Sequence, residues 1–127
     1  MDKQIISTPQ APSAIGPYSQ AVRAGNLLFV SGQIPIDPST GQLIADKDIK
    51  SQTRRVLQNL LAIVEAAGGS AQHVVKTTVF LRDIRDFAEM NAVYSDFFMS
   101  SPPARSTIEA AQLPRDVGVE IDCIAVI

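Results

Sequence analysis

The sequence predicts an α+β fold, and three observations carry that prediction. Two stretches place apolar residues at helical spacing, and several others are rich in β-branched residues. Their order is strand-strand, helix, strand, helix, strand-strand, which predicts a mixed β-sheet with two helices packed on one face. At 127 residues with no internal repeat or linker, residues 1–127 are expected to form one domain. Hydrophobic residues make up 46% and charged residues 19%. That is apolar for a small domain, so the sheet face without helices is expected to be covered by another subunit.

The elements follow in chain order. "YSQAVRAGNLLFVS" contains two strand-like runs joined at Ala24-Gly25-Asn26, which predicts a hairpin. "LLFVSGQI" (27–34) carries Gly32, a mark of a bulge or of close backbone approach. Ile49, Val56, Leu57, Leu60, Leu61, Val64 and Ala67 recur in steps of three and four, so a helix is predicted over 48–67, ended by Gly68-Gly69. "VVKTTVFLR" (74–82) is the next strand. A second helix is predicted over 86–98, with Asp86 and Glu89 spaced as a capping box and Phe87, Met90, Tyr94, Phe97 and Phe98 as its buried stripe. Pro102-Pro103 stops it. "ARSTIEA" (104–110) and "VGVEIDCIAVI" (117–127) complete the strands.

Composition excludes several functions. Eleven basic residues against thirteen acidic ones give a net charge of −2, against a phosphate-driven nucleic-acid binder. One cysteine, Cys123, and one histidine, His73, cannot form a disulfide or a metal cluster, and Cys123 alternates onto an apolar face. No Gly-rich phosphate loop or dinucleotide fingerprint occurs, and no cofactor is expected. The opening "MDKQIISTPQAPS" lacks a basic region followed by an apolar run, and no stretch is long enough to span a membrane, so a cytoplasmic protein is expected.

Three features carry chemistry. Arg105 follows Pro102-Pro103 in a run of small and apolar residues; its planar fork suits a carboxylate, and the competing role is a structural ion pair. Glu120 lies in the final apolar strand on one face with Asp122, Ile124 and Val126; it is either a solvated edge acid or a partnered carboxylate able to polarise water. Gly16-Pro17 presents Tyr18, and Ser31-Gly32 offers a hydroxyl and an unencumbered backbone amide. No histidine base accompanies Ser31, so a serine nucleophile is not expected, and His73 sits in a loop or at a strand start.

Taken together, "IGPYSQAV", "VSGQIP", "KTTVFLRDIRDFAEMNAVY" and "PPARSTIEAAQLPRDVGVEI" resemble the reactive-intermediate deaminase family, RidA (YjgF/UK114), over nearly the whole chain. The resemblance implies a chorismate-mutase-like fold and a homotrimer with sheets facing inward and active sites between subunits. It also implies hydrolysis of the enamines and imines released by pyridoxal-phosphate dehydratases to 2-keto acids and ammonia. It makes Arg105 the substrate-binding arginine of the deaminase-competent branch and Glu120 the water-positioning acid, with Tyr18, Ser31, Gly32 and Asn91 lining the cleft. Thr107 stands where well-known bacterial members have cysteine; alternation places it on the same face as Arg105, where it is expected to bind substrate through a hydrogen bond, and thiol chemistry is not essential here. The segment before Arg105 is shorter than in some relatives, which bears on substrate breadth. Competing roles associated with the family are translation inhibition through RNA cleavage and chaperone-like behaviour; a further alternative is 2-keto-acid sensing without turnover, which Arg105 alone would satisfy.

Overall fold

The computed structural model describes residues 2–127. Eight strands run β1 (Lys3–Ile6), β2 (Ala21–Ala24), β3 (Leu27–Gln33), β4 (Ile36–Asp37), β5 (Gln42–Leu43), β6 (Val74–Leu81), β7 (Ala104–Glu109) and β8 (Val119–Val126). Helix α1 (Ile49–Ala66) precedes β6, and α2 (Phe87–Phe97) joins β6 to β7. The main sheet has the order β1-β2-β3-β8-β6-β7; β4 and β5 form a separate hairpin. Only β6 and β7 pair in parallel, because a helix crossover joins them. The predicted α+β architecture, two helices on one face of a mixed sheet, is the one observed.

The helix-covered face holds the core. Val56, Leu57, Leu60, Ile63 and Val64 of α1 pack with Leu28, Val30, Val79, Leu81, Ile121 and Cys123, and Met90 and Tyr94 of α2 join them. Fully burying each Leu or Ile contributes about 1.5–3 kcal/mol. Asp48 caps α1 by accepting from the Ser51 amide at 2.7 Å. Gly68, at φ 95°, ends it as predicted.

The second helix departs from expectation at its start. Asp86 makes no side-chain cap, so the Asp86/Glu89 box does not form. A 3-10 turn over Ile84–Asp86 precedes the helix, and Asp83 caps that turn by accepting from the Arg85 amide at 2.9 Å. The Arg85 guanidinium on Asp83 leads in holding that carboxyl down at about 2. The buried stripe also shifts: Val93 joins it, Phe97 is half-buried and Phe87 is exposed. The helix is rotated so that Phe87 meets an edge-strand side chain rather than the core. Leu61 and Ala67 of α1 are likewise only half-buried.

Strand β1 and the β4–β5 hairpin were not foreseen. Each is too short to show alternation, and both are fixed by contacts distant in sequence. Buried amides make those contacts. Gln20 accepts from the Thr8 amide at 2.7 Å and donates to the Pro12 carbonyl at 2.7 Å, tying down the segment between β1 and β2. Asn59 of α1 donates to the carbonyls of Ile34 (3.2 Å) and Ile36 (2.9 Å). Gln52 accepts from the Gly118 amide at 2.8 Å, fixing the entry to β8. Arg55 is half-buried and donates to Asn59 Oδ1 at 3.1 Å.

Asn59→Ala is expected to cost about 2–3 kcal/mol, because it strands one buried and one part-buried carbonyl. Urea unfolding of the variant against wild type measures this through the midpoint, at unchanged slope.

Candidate functional site

The chemistry-bearing residues fall into two groups. The first surrounds Glu120. On β3 and β8, register passes from Val30↔Cys123 to Gln33↔Ile121, so Ser31 and Gly32 oppose the single residue Asp122. This is a β-bulge, as the glycine signalled. The Glu120 side chain lies directly over Gly32, where an added Cβ would come 2.9 Å from Glu120 Cδ and still closer to its Oε2. A glycine is required here by close approach, not by backbone conformation.

Glu120 lines a cavity of about 600 Å³ whose walls include Ile15, Tyr18, Ser31, Gly32, Ile34 and Arg115. Burial, and behind it the Asp122 carboxylate, push the Glu120 pKa up from its ordinary value. Asp122 is raised as well, mainly by burial, with Thr78 and Lys76 acting in the opposite sense. Tyr18 is exposed, and its hydroxyl accepts from the Ile15 amide at 3.4 Å. Ser31 does not present a free donor: its hydroxyl donates to the Ser19 carbonyl at 2.6 Å. It braces the bulge instead.

The second group surrounds Arg105. One guanidinium nitrogen, Nη1, donates to Asn91 Oδ1 at 2.7 Å. The guanidinium carbon sits 4.7 Å from the Tyr94 ring centroid and 5.4 Å from that of Phe87. Tyr94 is itself anchored, its hydroxyl 2.6 Å from Thr77 Oγ1 in the core. Burial raises the Tyr94 pKa despite that bond and the Arg105 charge, so it stays a neutral phenol. Neither of the two ion pairs among the described residues involves Arg105. The alternative role of a structural ion pair within the chain therefore has no partner among them. Thr107 lies two residues further along β7, its Oγ1 buried without a hydrogen-bond partner.

Sheet register relates the two groups. Val30, Cys123, Thr77 and Arg105 lie on one line across β3, β8, β6 and β7, and the first three are buried under the helices. Glu120, Phe80 and Ile108 lie on another line, and Ile108 is 48% exposed. Arg105, Asn91 and Thr107 thus belong to the helix side of the sheet, and Glu120 belongs to its open side. Tyr18, Ser31, Gly32 and Glu120 are brought together; Arg105, Asn91 and Thr107 are brought together; one chain does not join the two sets.

Sequence reasoning passed over Phe87 and Tyr94 as plain core residues, and over Arg115 entirely. Phe87 and Tyr94 stand two helical turns from each other and each one turn from Asn91, a signal that one α2 face meets Arg105. His73 is exposed in a 3-10 turn, where its Nδ1 accepts from the Ser70 amide at 3.0 Å. Cys123 is buried, which pushes its thiol up to about 12. Among the described residues no group of side chains could hold a metal ion, and no helix is long and apolar enough to cross a membrane.

Comparison with known proteins follows the same residues. The family model described as Endoribonuclease L-PSP matches residues 8–127. The chain belongs to this family, the YjgF/RidA family. A RutC family protein of Pyrococcus horikoshii is 56% identical over 123 residues, 97% of each chain. The 2-iminobutanoate/2-iminopropanoate deaminase of Escherichia coli K12 is 52% identical over 124 residues, 95% of each chain. The crystal structure of E. coli TdcF with bound serine superposes with a TM-score of 0.93 at 48% identity, covering 98% of each chain. The RidA fold expected from the motifs is the fold found.

Gly32→Ala tests the packing at the bulge. The methyl group must displace Glu120, so thermal stability is expected to fall by about 1–3 kcal/mol. A crystal structure of the variant should show the Glu120 carboxylate turned away from the bulge; an unmoved carboxylate contradicts the close approach.

Proposed function

We propose that the protein hydrolyses 2-imino acids, and the enamines that tautomerise to them, to 2-keto acids and ammonia, at sites between copies of the chain. One observation carries this reading. Arg105 is held by an amide oxygen and two aromatic rings, all neutral, so its charge remains for an incoming carboxylate. The relative from E. coli K12 named as an imine deaminase, and the TdcF structure with its bound amino acid, support the same substrate class.

The separation of Arg105 from Glu120 supports the assembly. A four-carbon substrate cannot reach both faces of one sheet, whereas a cleft between two copies can present Arg105 of one and Glu120 of the other. The open face carries Leu27, Phe29, Val75 and Ile108 exposed to solvent, a surface suited to a homotrimer with sheets facing inward. The expected partner is therefore a second copy of the chain, and the ligand a small imine, enamine or 2-keto acid. The family relation and the composition fit an enzyme acting in the cytoplasm.

The reaction proceeds by addition and elimination. An enamine such as 2-aminoacrylate takes a proton at its terminal carbon and becomes the imine. Arg105 binds the carboxylate through its fork, with the buried, unpartnered Thr107 Oγ1 behind it on the same face and the Gly32 backbone on the opposite wall. Glu120, a stronger base for being desolvated, orients a water toward the C=N carbon. Oxygen adds to the carbon as one water proton passes through the carboxylate to nitrogen; the carbinolamine's hydroxyl proton then follows the same path to the amine, and C=O forms as ammonia leaves. Positioning and one charge clamp supply the modest acceleration that a spontaneously hydrolysing imine needs. No nucleophile–base pair is required.

A second reading follows from the family description, which names an endoribonuclease. The net charge of −2 gives RNA phosphates little to bind. A salt titration of RNA binding separates the two, since phosphate-driven binding weakens steeply with salt. Sensing of 2-keto acids without turnover would need Arg105 but not Glu120.

Arg105→Ala is expected to lower kcat/KM for 2-iminopropanoate by about 10²-fold or more, and Arg105→Lys by at least about tenfold, because an ammonium lacks the fork. Keto-acid release in a dehydratase-coupled assay reads both; wild-type rates in either variant contradict the proposal. Activity requires the Glu120 carboxylate, so it is lost as pH falls through that group's raised pKa. Asp122→Asn removes a neighbouring negative charge, lowers the Glu120 pKa, and should move the acidic limb to lower pH. The stability sign is opposite. A carboxyl raised in the folded state contributes stability in full below its unfolded pKa and loses it as pH rises through the folded pKa. Glu120→Gln should therefore raise Tm at pH 7 while reducing turnover.

A further inference from the structure

Two adjacent non-glycine residues, Arg115 (φ 55°) and Asp116 (φ 58°), occupy the left-handed region in a turn after Pro114. Such backbone is strained for L-residues and persists only where its surroundings hold it. Here they do. Arg82 Nη1 donates to the Asp116 carbonyl at 3.1 Å and pairs with its carboxylate at 3.3 Å. The Arg82 amide donates to the Gly118 carbonyl at 3.0 Å, and the Gly118 amide donates to Gln52 at 2.8 Å. None of these links uses the Arg115 side chain.

The turn brings Arg115 to the wall of the cavity that holds Glu120. Its guanidinium enters neither ion pair among the described residues, and the adjacent Asp116 carboxylate is taken by Arg82. The cavity, about 600 Å³, lies in the range of sites for ligands far larger than a four-carbon imino acid. Ile15, Ile34 and Ile36 give it an apolar middle, with Glu120 and Arg115 as its charged wall groups. An apolar spacer ending at an unpaired arginine suits a short chain with a second carboxylate.

We infer that Arg115 is a distal anion subsite, giving the protein a preference for 2-imino dicarboxylates such as 2-iminoglutarate over neutral-chain 2-imino acids of equal length. The inference rests on the imine-hydrolase reading for its chemistry: Arg105 of a neighbouring copy takes the carboxylate beside the C=N carbon, and Arg115 takes the far one.

The test compares imines generated in situ by an amino-acid oxidase from glutamate and from norvaline, which differ only in the terminal group. Wild type should show a higher kcat/KM for 2-iminoglutarate than for 2-iminopentanoate. In Arg115→Gly, which accepts the left-handed backbone without strain, that ratio should fall about tenfold, the weight of one charge-assisted hydrogen bond. Arg115→Lys should recover part of it. An unchanged ratio in Arg115→Gly, or no wild-type preference, overturns the subsite. If wild type turns over neither these imines nor 2-iminopropanoate, the hydrolase reading fails, and calorimetry decides the subsite alone. Tighter binding of 2-ketoglutarate than of 2-ketopentanoate, lost in Arg115→Gly, sustains it; equal affinities overturn it.

Discussion

The two-residue period of the β-pleat is the constraint on which the rest of this structure depends. It sends Arg105 under α2 and Glu120 to the open side, with β6 between their strands. No rotamer change reverses that assignment, and a one-residue slip in register would exchange the entire core for the solvent face. The core therefore fixes the site. Burial of Val79, Ile121 and Cys123 on one face obliges Glu120 and Asp122 to the other. In the proposed assembly the same rule explains why the chemistry needs two copies.

The two charged groups are prepared in opposite ways. Arg105 is surrounded by partners that bind a cation without neutralising it: an amide oxygen and two ring faces. Glu120 is pressed over a glycine and next to another carboxylate, and no described residue donates a hydrogen bond to it. The first arrangement preserves an electrostatic field for an anion. The second makes a carboxylate more basic at a cost in folding stability, since its charged form is poorly solvated. Groups placed for structural advantage would be paired with each other; here the pleat keeps them apart.

Much of this was legible in the sequence, and the exceptions share a cause. Helix α1, the hairpin at Gly25, the strand register of 117–127 and the bulge at Gly32 all follow from local periodicity or from one glycine. The resemblance of the "PPARSTIEAAQLPRDVGVEI" segment to RidA proteins singled out Arg105 and Glu120. What was missed depends on contacts between distant segments. Phe87 has the spacing of a core residue, yet it is exposed and faces Arg105, because α2 is turned toward the edge strand. The Ser31 hydroxyl was available as a ligand donor until Ser19, from the preceding loop, accepted it. Arg115 carries no sequence signal at all: left-handed backbone at a non-glycine residue becomes visible only with the turn itself.

Buried amides explain how loops can hold such a site. Gln20, Asn59 and Gln52 each reach from a regular element or its border into irregular backbone and satisfy groups that secondary structure leaves unpaired. Those three loops supply Ile15, Ile34 and Arg115 to one cavity. A hydroxyl carries its donor and acceptor on one atom, whereas an amide holds an acceptor oxygen and two N–H donors apart on two atoms and can bridge two segments of chain at once. Catalysis by positioning depends on such locks, because a wall that drifts by an ångström loses the orientation that is its main contribution. The loops are therefore tied to the helices and the sheet border, and the cavity they line is set by the same side chains that complete the core.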